Sequence, residues 1–129
     1  MGSNKGLLLD TQVFLWWMGK SKKLSKDVAS IIRNSRTNVY VSVGSIWEMV
    51  IKAAKGKLKI PKNIKGGIER SGFAILPIEL SHVLEIAILP LFHKDPFDRL
   101  LIAQSRSERL TLVTSDRKMW KYKLSILKC

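Results

Sequence analysis

The feature that most constrains this chain is a set of short, unbroken apolar runs. Leu7-Leu8-Leu9, Asn38-Val39-Tyr40-Val41-Ser42, Phe73-Ala74-Ile75-Leu76-Pro77-Ile78, Leu110-Thr111-Leu112-Val113-Thr114 and Leu124-Ser125-Ile126-Leu127 are separated by stretches of helical pattern. A strand apolar at successive positions is covered on both faces, which is the environment of a parallel sheet flanked by helices. Strands alternating with helices predict right-handed crossovers. The expected fold class is therefore α/β, a three-layer α/β/α sandwich with a mainly parallel central sheet of about five strands. A length of 129 residues suits one domain over 1–129 with a real core.

Between these runs the helical segments are readable. Val13 to Met18 forms a short apolar helix ended by Gly19, and its Trp16 and Trp17 read as core or a protein interface ahead of a base-stacking platform. Ser25 caps a helix with Val28, Ile31 and Ile32 on one face. A helix after Ser42 is expected to bury Ile46, Trp47, Val50, Ile51 and Ala54, with Glu48 one step off that stripe in the first turn. A weak helix surrounds Ile68-Glu69-Arg70. Ser81 is the expected cap of a helix burying Val83, Leu84, Ala87 and Ile88. Arg117 to Trp120 is a short helix or turn. Pro77 cannot donate to a ladder, so its strand belongs at an edge or ends there.

The densest chemistry lies in His93-Lys94-Asp95-Pro96-Phe97-Asp98-Arg99-Leu100-Leu101-Ile102-Ala103-Gln104. Asp95 is a good N-cap and Pro96 fits the first helical position, where no N–H is needed. Asp98 stands in the first turn, directly before an apolar run that calls for burial on most sides. Taken alone, such an Asp is most simply helix stabilisation by the dipole. Taken alone, Glu48 is an i,i+4 partner of Lys52.

Charge changes that reading. The chain has 23 Lys and Arg against 10 Asp and Glu, a net charge of +13. So basic a domain points to a polyanion such as nucleic acid, to an acidic protein, or to an anionic membrane surface. No stretch approaches the length of a membrane span and no signal-peptide pattern is present, so a cytoplasmic location is expected. A single cysteine, Cys129, rules out an internal disulfide and Cys-rich zinc sites. Lys52, Lys55 and the lysines up to Lys65 make the densest positive region, a candidate nucleic-acid path or simply a solvated face.

Yet four of the few acids fall where a parallel sheet would gather them. Sites in such sheets form outside the carboxyl ends of the strands. Asp10 ends the first strand, Glu48 follows the second, Asp98 opens the helix feeding the fourth, and Asp116 ends the fourth. Two like charges about 4 Å apart repel by roughly 4 kcal/mol at an effective dielectric near 20. A divalent cation or raised pKa values must relieve this. Oxygen donors, with no Cys and no His at ligand spacing, favour Mg²⁺ or Mn²⁺ over Zn²⁺. A basic surface with an acidic metal pocket is a coherent nuclease design.

Read end to end, the chain resembles PIN-domain ribonucleases, and more closely the VapC toxins of toxin–antitoxin pairs. The resemblance rests on Leu7-Leu8-Leu9-Asp10-Thr11, Trp16-Trp17, Val41-Ser42, Ser45-Ile46-Trp47-Glu48, Gly56-Lys57-Leu58, the run from Asp95 to Gln104, and Leu112-Val113-Thr114-Ser115-Asp116. It implies metal held by Asp10, Glu48 and Asp98, with Asp116 as the more variable fourth acid, and Thr11 and Thr114 beside them. It also implies a Mg²⁺- or Mn²⁺-dependent endoribonuclease that hydrolyses RNA phosphodiester bonds with metal-activated water, a homodimer, and inhibition by a cognate VapB antitoxin. Close relatives often carry His where this chain has Gln12. Arg99 is a candidate contact for substrate phosphate or a partner for an acid, and Lys52 and Lys55 are candidate RNA contacts. The competing reading is a non-catalytic PIN-like module that binds RNA without cutting it, or a protein-interaction subunit using Trp16 or Trp17. A DNA nuclease also stays open, because sugar selectivity needs contacts to the 2′-OH.

Overall fold

A computed structural model describes residues 6–34 and 38–129. The first strand, β1 (Gly6–Leu9), runs straight into α1 (Thr11–Met18), with Asp10 as the hinge and N-cap. After α2 (Lys26–Arg33) come β2 (Asn38–Ser42), α3 (Val43–Ala54), α4 (Ile64–Arg70) and β3 (Ala74–Leu76). Helices α5 (Leu80–Ile86) and α6 (Pro96–Glu108) precede β4 (Thr111–Thr114), a 3-10 turn at Met119–Lys121, and β5 (Ile126–Lys128).

The five strands form one sheet in the order β3-β2-β1-β4-β5, and every pairing is parallel. Alternation along the central strands shows both faces covered. Leu7 and Leu9 pack with Val13, Phe14, Val28, Ile32, Met49 and Ile68 from α1 to α4. Leu8 and Leu112 pack on the other side with Leu101, Ile102 and Ala103 of α6. This is the three-layer sandwich expected from the unbroken apolar runs. Leu8, Leu9 and Leu112 are wholly buried, each such side chain contributing about 1.5–3 kcal/mol. Gly6 is required at its position. Its φ is +144°, and a Cβ there would collide with the backbone carbonyl of Asn38 on the neighbouring strand. Pro77 lies just past β3, which is an edge strand, in keeping with its missing donor.

In two helices the most buried face is not the apolar stripe expected from the sequence. Ser42 accepts the Gly44 N–H and caps α3 at Val43, three residues earlier than the apolar stripe suggested. Glu48 therefore lies in the second turn, and the buried face is Gly44, Ser45, Glu48 and Met49; of the expected stripe, Ile46 is partly buried against the core and Ile51 partly buried, while Trp47 and Val50 are about half exposed and Ala54 is exposed. Gly44 lets α3 close on α6, because a Cβ there would strike Leu100. In α5 the helix starts at Leu80, not after a Ser81 cap. It buries His82 and exposes Val83 and Leu84, as Ile88 beyond it is also exposed. His82 takes the Glu79 N–H on Nδ1 and meets Glu108 of α6 through Nε2 at 2.8 Å, so a polar pin seats this helix. Ile31 of α2 is likewise partly exposed at 45 %.

Candidate metal centre

The sheet's carboxyl edge gathers the four acids picked out by position. Asp10 follows β1, and its carboxylate does two jobs. Oδ1 accepts the Val13 N–H at 2.7 Å as the cap of α1, and Oδ2 accepts the Thr114 hydroxyl at 2.5 Å. Thr114 ends β4 beside β1, and its oxygen also accepts the Asp116 N–H at 3.0 Å. One hydroxyl thus ties the first acid to the segment carrying the fourth. Glu48 projects from α3 towards β1. Its Oε1 accepts the Thr11 hydroxyl at 2.8 Å, with Ser45 Oγ 2.9 Å from that hydroxyl, and its Oε2 takes the Lys52 ammonium at 2.6 Å. The i,i+4 pair read from sequence is therefore real, but its acid is buried inside the site and only its lysine faces water.

Asp98 lies in the first turn of α6, which Asp95 caps by accepting the N–H groups of Phe97 and Asp98. Asp116 follows β4 and accepts the Lys118 N–H at 2.9 Å. His93 stands between them, with Nε2 2.8 Å from Asp116 Oδ2 and 3.0 Å from Asp98 Oδ2. Asp10, Glu48, Asp98 and Asp116 all line one pocket of about 310 Å³, together with Thr11, Gln12 and Lys52.

Electrostatics mark this pocket as short of positive charge. Burial pushes the Asp98 carboxyl up to about 8, aided by repulsion from Asp95, Glu48, Asp10 and Asp116. Burial raises Asp10 to about 6, and the bonds from Thr114 and Val13 hold it from going higher. Carboxylates that resist ionising together are those a bound cation would stabilise. Every acid in the pocket offers hard oxygen, the donor set of Mg²⁺ or Mn²⁺. Among the described residues, one group of potential ligands has donor atoms all within 4.8 Å of each other: His93, Asp98 and Asp116.

The other candidates fall elsewhere. Arg99 is not in the pocket. Its guanidinium donates to the carbonyls of Ile86, Leu89, Pro90 and His93 and to the Tyr122 hydroxyl, so it fastens the turn before α6 and, among the described residues, meets no acid. Lys52 lines the pocket, whereas the exposed Lys55 does not, although Leu58 of the same loop does. Gln12 is exposed at the rim. Trp17 packs against Phe73 at 5.4 Å and under Arg33, in a separate groove shared with Trp16 and Arg70. The sequence spacing offers no His to the acids, yet the turn before α6 brings His93 within ligand distance of Asp98 and Asp116, and Ser45 was passed over. Ser45 sits three residues before Glu48 on one helix face, which was a usable signal; His93 had only its closeness to Asp98.

Fold and site together define an α/β protein with an oxygen-donor pocket at the carboxyl edge of a parallel sheet. The PIN-domain family profile matches residues 7–123, and the chain belongs to that family. Its fold is similar to a chain of the VapBC2 assembly of Rickettsia felis bound to a promoter DNA fragment, with TM-score 0.69, 14 % identity, and coverage of 96 % of this chain and 98 % of that one. It is similar also to a chain of DNA-bound VapBC from Salmonella typhimurium (TM-score 0.65, 14 % identity, coverage 95 % and 97 %). A toxin–antitoxin complex from Klebsiella pneumoniae gives TM-score 0.65 at 17 % identity, with coverage 95 % and 96 %. At such identities the likeness is one of fold. Comparison with curated proteins finds no significant match.

Proposed function

We propose that this chain acts as a single PIN domain with Mg²⁺- or Mn²⁺-dependent endoribonuclease activity, the VapC-type toxin of a toxin–antitoxin pair. The observation that carries the reading is the pocket itself, where Asp10, Glu48, Asp98 and Asp116 meet and the carboxyls of Asp10 and Asp98 are pushed up to about 6 and about 8. These acids would hold the divalent cation. When bound, it would supply the Lewis acidity that activates water and offsets charge developing on a phosphodiester. The chain's own residues do the rest. Thr11 and Thr114 hold Glu48 and Asp10 in fixed rotamers through their hydroxyls. Lys52 adds positive charge at the rim, where an RNA phosphate would enter, and the lysines following it offer a path for the backbone.

The partners follow from the same reading. An acidic VapB-type antitoxin would suit a protein of net charge +13. A homodimer would cover the apolar strip of Leu80, Val83, Leu84, Ile88 and Leu91, whose exposures run from 49 % to 74 %. Sedimentation of the wild type and a Leu84→Lys variant tests the strip: the dimer is expected to dissociate in the variant. Among the described residues no helix is long and apolar enough to cross a membrane.

The test of activity is cleavage of labelled RNA by purified protein with Mg²⁺ or Mn²⁺, with EDTA, and with an Asp98→Asn variant prepared identically. Discrete fragments lost with EDTA and in the variant are expected. Equal fragments from wild type and variant would refute the reading. RNA bound but uncut by the wild type would favour the binding module.

A further inference from the structure

The turn before α6 brings His93 against two acids of the pocket, Asp98 and Asp116. The turn is held by its backbone. The His93 N–H donates to the Tyr122 hydroxyl at 3.0 Å, and the Tyr122 hydroxyl donates to the Pro90 carbonyl at 2.7 Å. Arg99 takes the His93 carbonyl at 3.3 Å and three further carbonyls of residues 86–90. The imidazole so delivered is 11 % exposed.

Its two nitrogens have different tasks. Nδ1 accepts the Asp95 N–H at 3.1 Å, so its lone pair is in use and the ring proton sits on Nε2. Nε2–H donates to Asp116 Oδ2 at 2.8 Å, and Asp98 Oδ2 lies 3.0 Å from the same nitrogen. A metal ligand needs a free lone pair, and Nε2 carries a proton instead. Turning the tautomer round would set Nδ1–H against the Asp95 N–H and leave both without an acceptor. His93 therefore belongs to the site as a donor, although its spacing to the two carboxylates would suit a ligand.

We infer that His93 is a positioning residue: its Nε2–H gathers Asp116 and Asp98 at one point and leaves their remaining lone pairs for a shared divalent cation. This rests on the metal reading above. Asp98 comes from a helix start and Asp116 from the far end of a strand, and the structure gives them no other common partner among the described residues. Groups that orient a metal's ligands in this way are worth about 10–100-fold in metal affinity.

The test is Mn²⁺ titration, read by electron paramagnetic resonance of the free ion, on wild type, His93→Ala, His93→Gln and Asp98→Asn, with thermal melting in EDTA as the folding control. His93→Ala is expected to weaken Mn²⁺ binding by about 10–100-fold. His93→Gln, whose amide can donate from a similar place, is expected to recover most of that loss. RNA cleavage by His93→Ala should return as Mn²⁺ is raised. Long-range ¹⁵N–¹H spectra should show the ring proton on Nε2 with and without Mg²⁺. Mn²⁺ binding by folded His93→Ala at wild-type strength would overturn the inference, as would a Gln variant no better than Ala or a proton on Nδ1 in the Mg²⁺-loaded protein. Should the Ala variant not fold, the Gln and tautomer results decide alone. Wild type that binds no Mn²⁺ would overturn the metal reading itself, and the inference with it.

Discussion

Asp10 and Glu48 are each 4 % exposed and each receives a threonine hydroxyl, whereas the side chains of Asp98 and Asp116 are 20 % and 34 % exposed and converge on one imidazole. Exposure alone would make the inner pair the harder to ionise. The opposite holds for the two acids that shift: Asp10 rises to about 6 and the more open Asp98 to about 8. The difference lies in donors. Asp10 has Thr114 and Val13 to offset its burial, while the burial of Asp98 is reinforced by the four carboxylates around it. The inner half is built into the sheet and helix caps. The outer half is joined through the imidazole of His93.

The sharpest way to break this comparison is to neutralise one acid from each half. Asp98→Asn and Asp10→Asn should each lower RNA cleavage by more than about 100-fold, because removing a ligand exceeds removing its support. Their effects on the metal-free fold should differ in sign. Asp98→Asn removes a repelled charge and should raise the melting temperature in EDTA. Asp10→Asn turns one of two acceptor oxygens into a donor, facing either Thr114 or the Val13 N–H, and should lower it. Differential scanning calorimetry reads both, at about 3–6 °C per kcal/mol for a domain of this size. Melting shifts of the same sign would show the two halves to be alike.

A pH series sharpens the same point. A carboxyl whose folded pKa is raised binds its proton more tightly in the folded state than in the unfolded one. The folded state thus loses ground as pH climbs from the ordinary value near 3.8 to the raised one. For Asp10 that window closes at about 6, and for Asp98 at about 8. The metal-free protein should therefore lose stability between pH 6 and pH 8, in a step that Asp98→Asn removes and Asp10→Asn keeps. Saturating Mg²⁺ should abolish the decline, since the cation favours the ionised cluster. Melting curves in EDTA and in Mg²⁺ at the two pH values check this.

Thr114→Val is a smaller lesion with a wider reach. It takes the donor from Asp10 Oδ2 and the acceptor from the Asp116 N–H at once. A buried group left unsatisfied costs about 1–3 kcal/mol, which urea denaturation would register. Thr11→Val takes the donor from Glu48, whose other oxygen keeps Lys52, and removes the contact with the Ser45 hydroxyl, which can turn to another partner, and it should cost less.

Much of the fold was open to reading from the chain because its signals were of the right kind. An apolar run at successive positions, as in Leu7-Leu8-Leu9, has no stable home but a doubly covered strand, and all five strands proved parallel. The acids could be placed because a parallel sheet sends every strand end to one edge. Helix faces could not. In α5, and for Trp47 and Val50 of α3, the apolar periodicity marks the outer surface, while the inner face carries His82 in one and Ser45 and Glu48 in the other. Periodicity reports where apolar residues lie, and it misleads when a site places polar groups inside. Arg99 shows the same limit. A guanidinium beside an acid invites a phosphate or ion-pair reading, yet four carbonyls and a tyrosine hydroxyl claim it. Those acceptors belong to a turn whose path no local pattern dictates.

Lys52 tests the boundary between the halves most gently. Among the described residues it is the one ammonium paired with an acid of the pocket, 2.6 Å from Glu48 Oε2, and its side chain is 49 % exposed. A pair so open to solvent contributes at most about 1 kcal/mol, so Lys52→Ala should scarcely move the melting temperature in Mg²⁺. Its effect on the ion should be clearer. Without the ammonium, Glu48 faces Asp98 and Asp10 with one less cation to offset them, and a divalent ion meets less competition. Mn²⁺ affinity should rise about two- to fivefold, the equivalent of roughly 0.4–1 kcal/mol. RNA affinity at low salt should fall if the same ammonium meets a phosphate at the rim. Metal binding tightened and RNA binding weakened by one substitution would place Lys52 at the junction of the acidic pocket and the basic surface. Unchanged Mn²⁺ affinity would mean that the buried half already holds Glu48 through Thr11 alone.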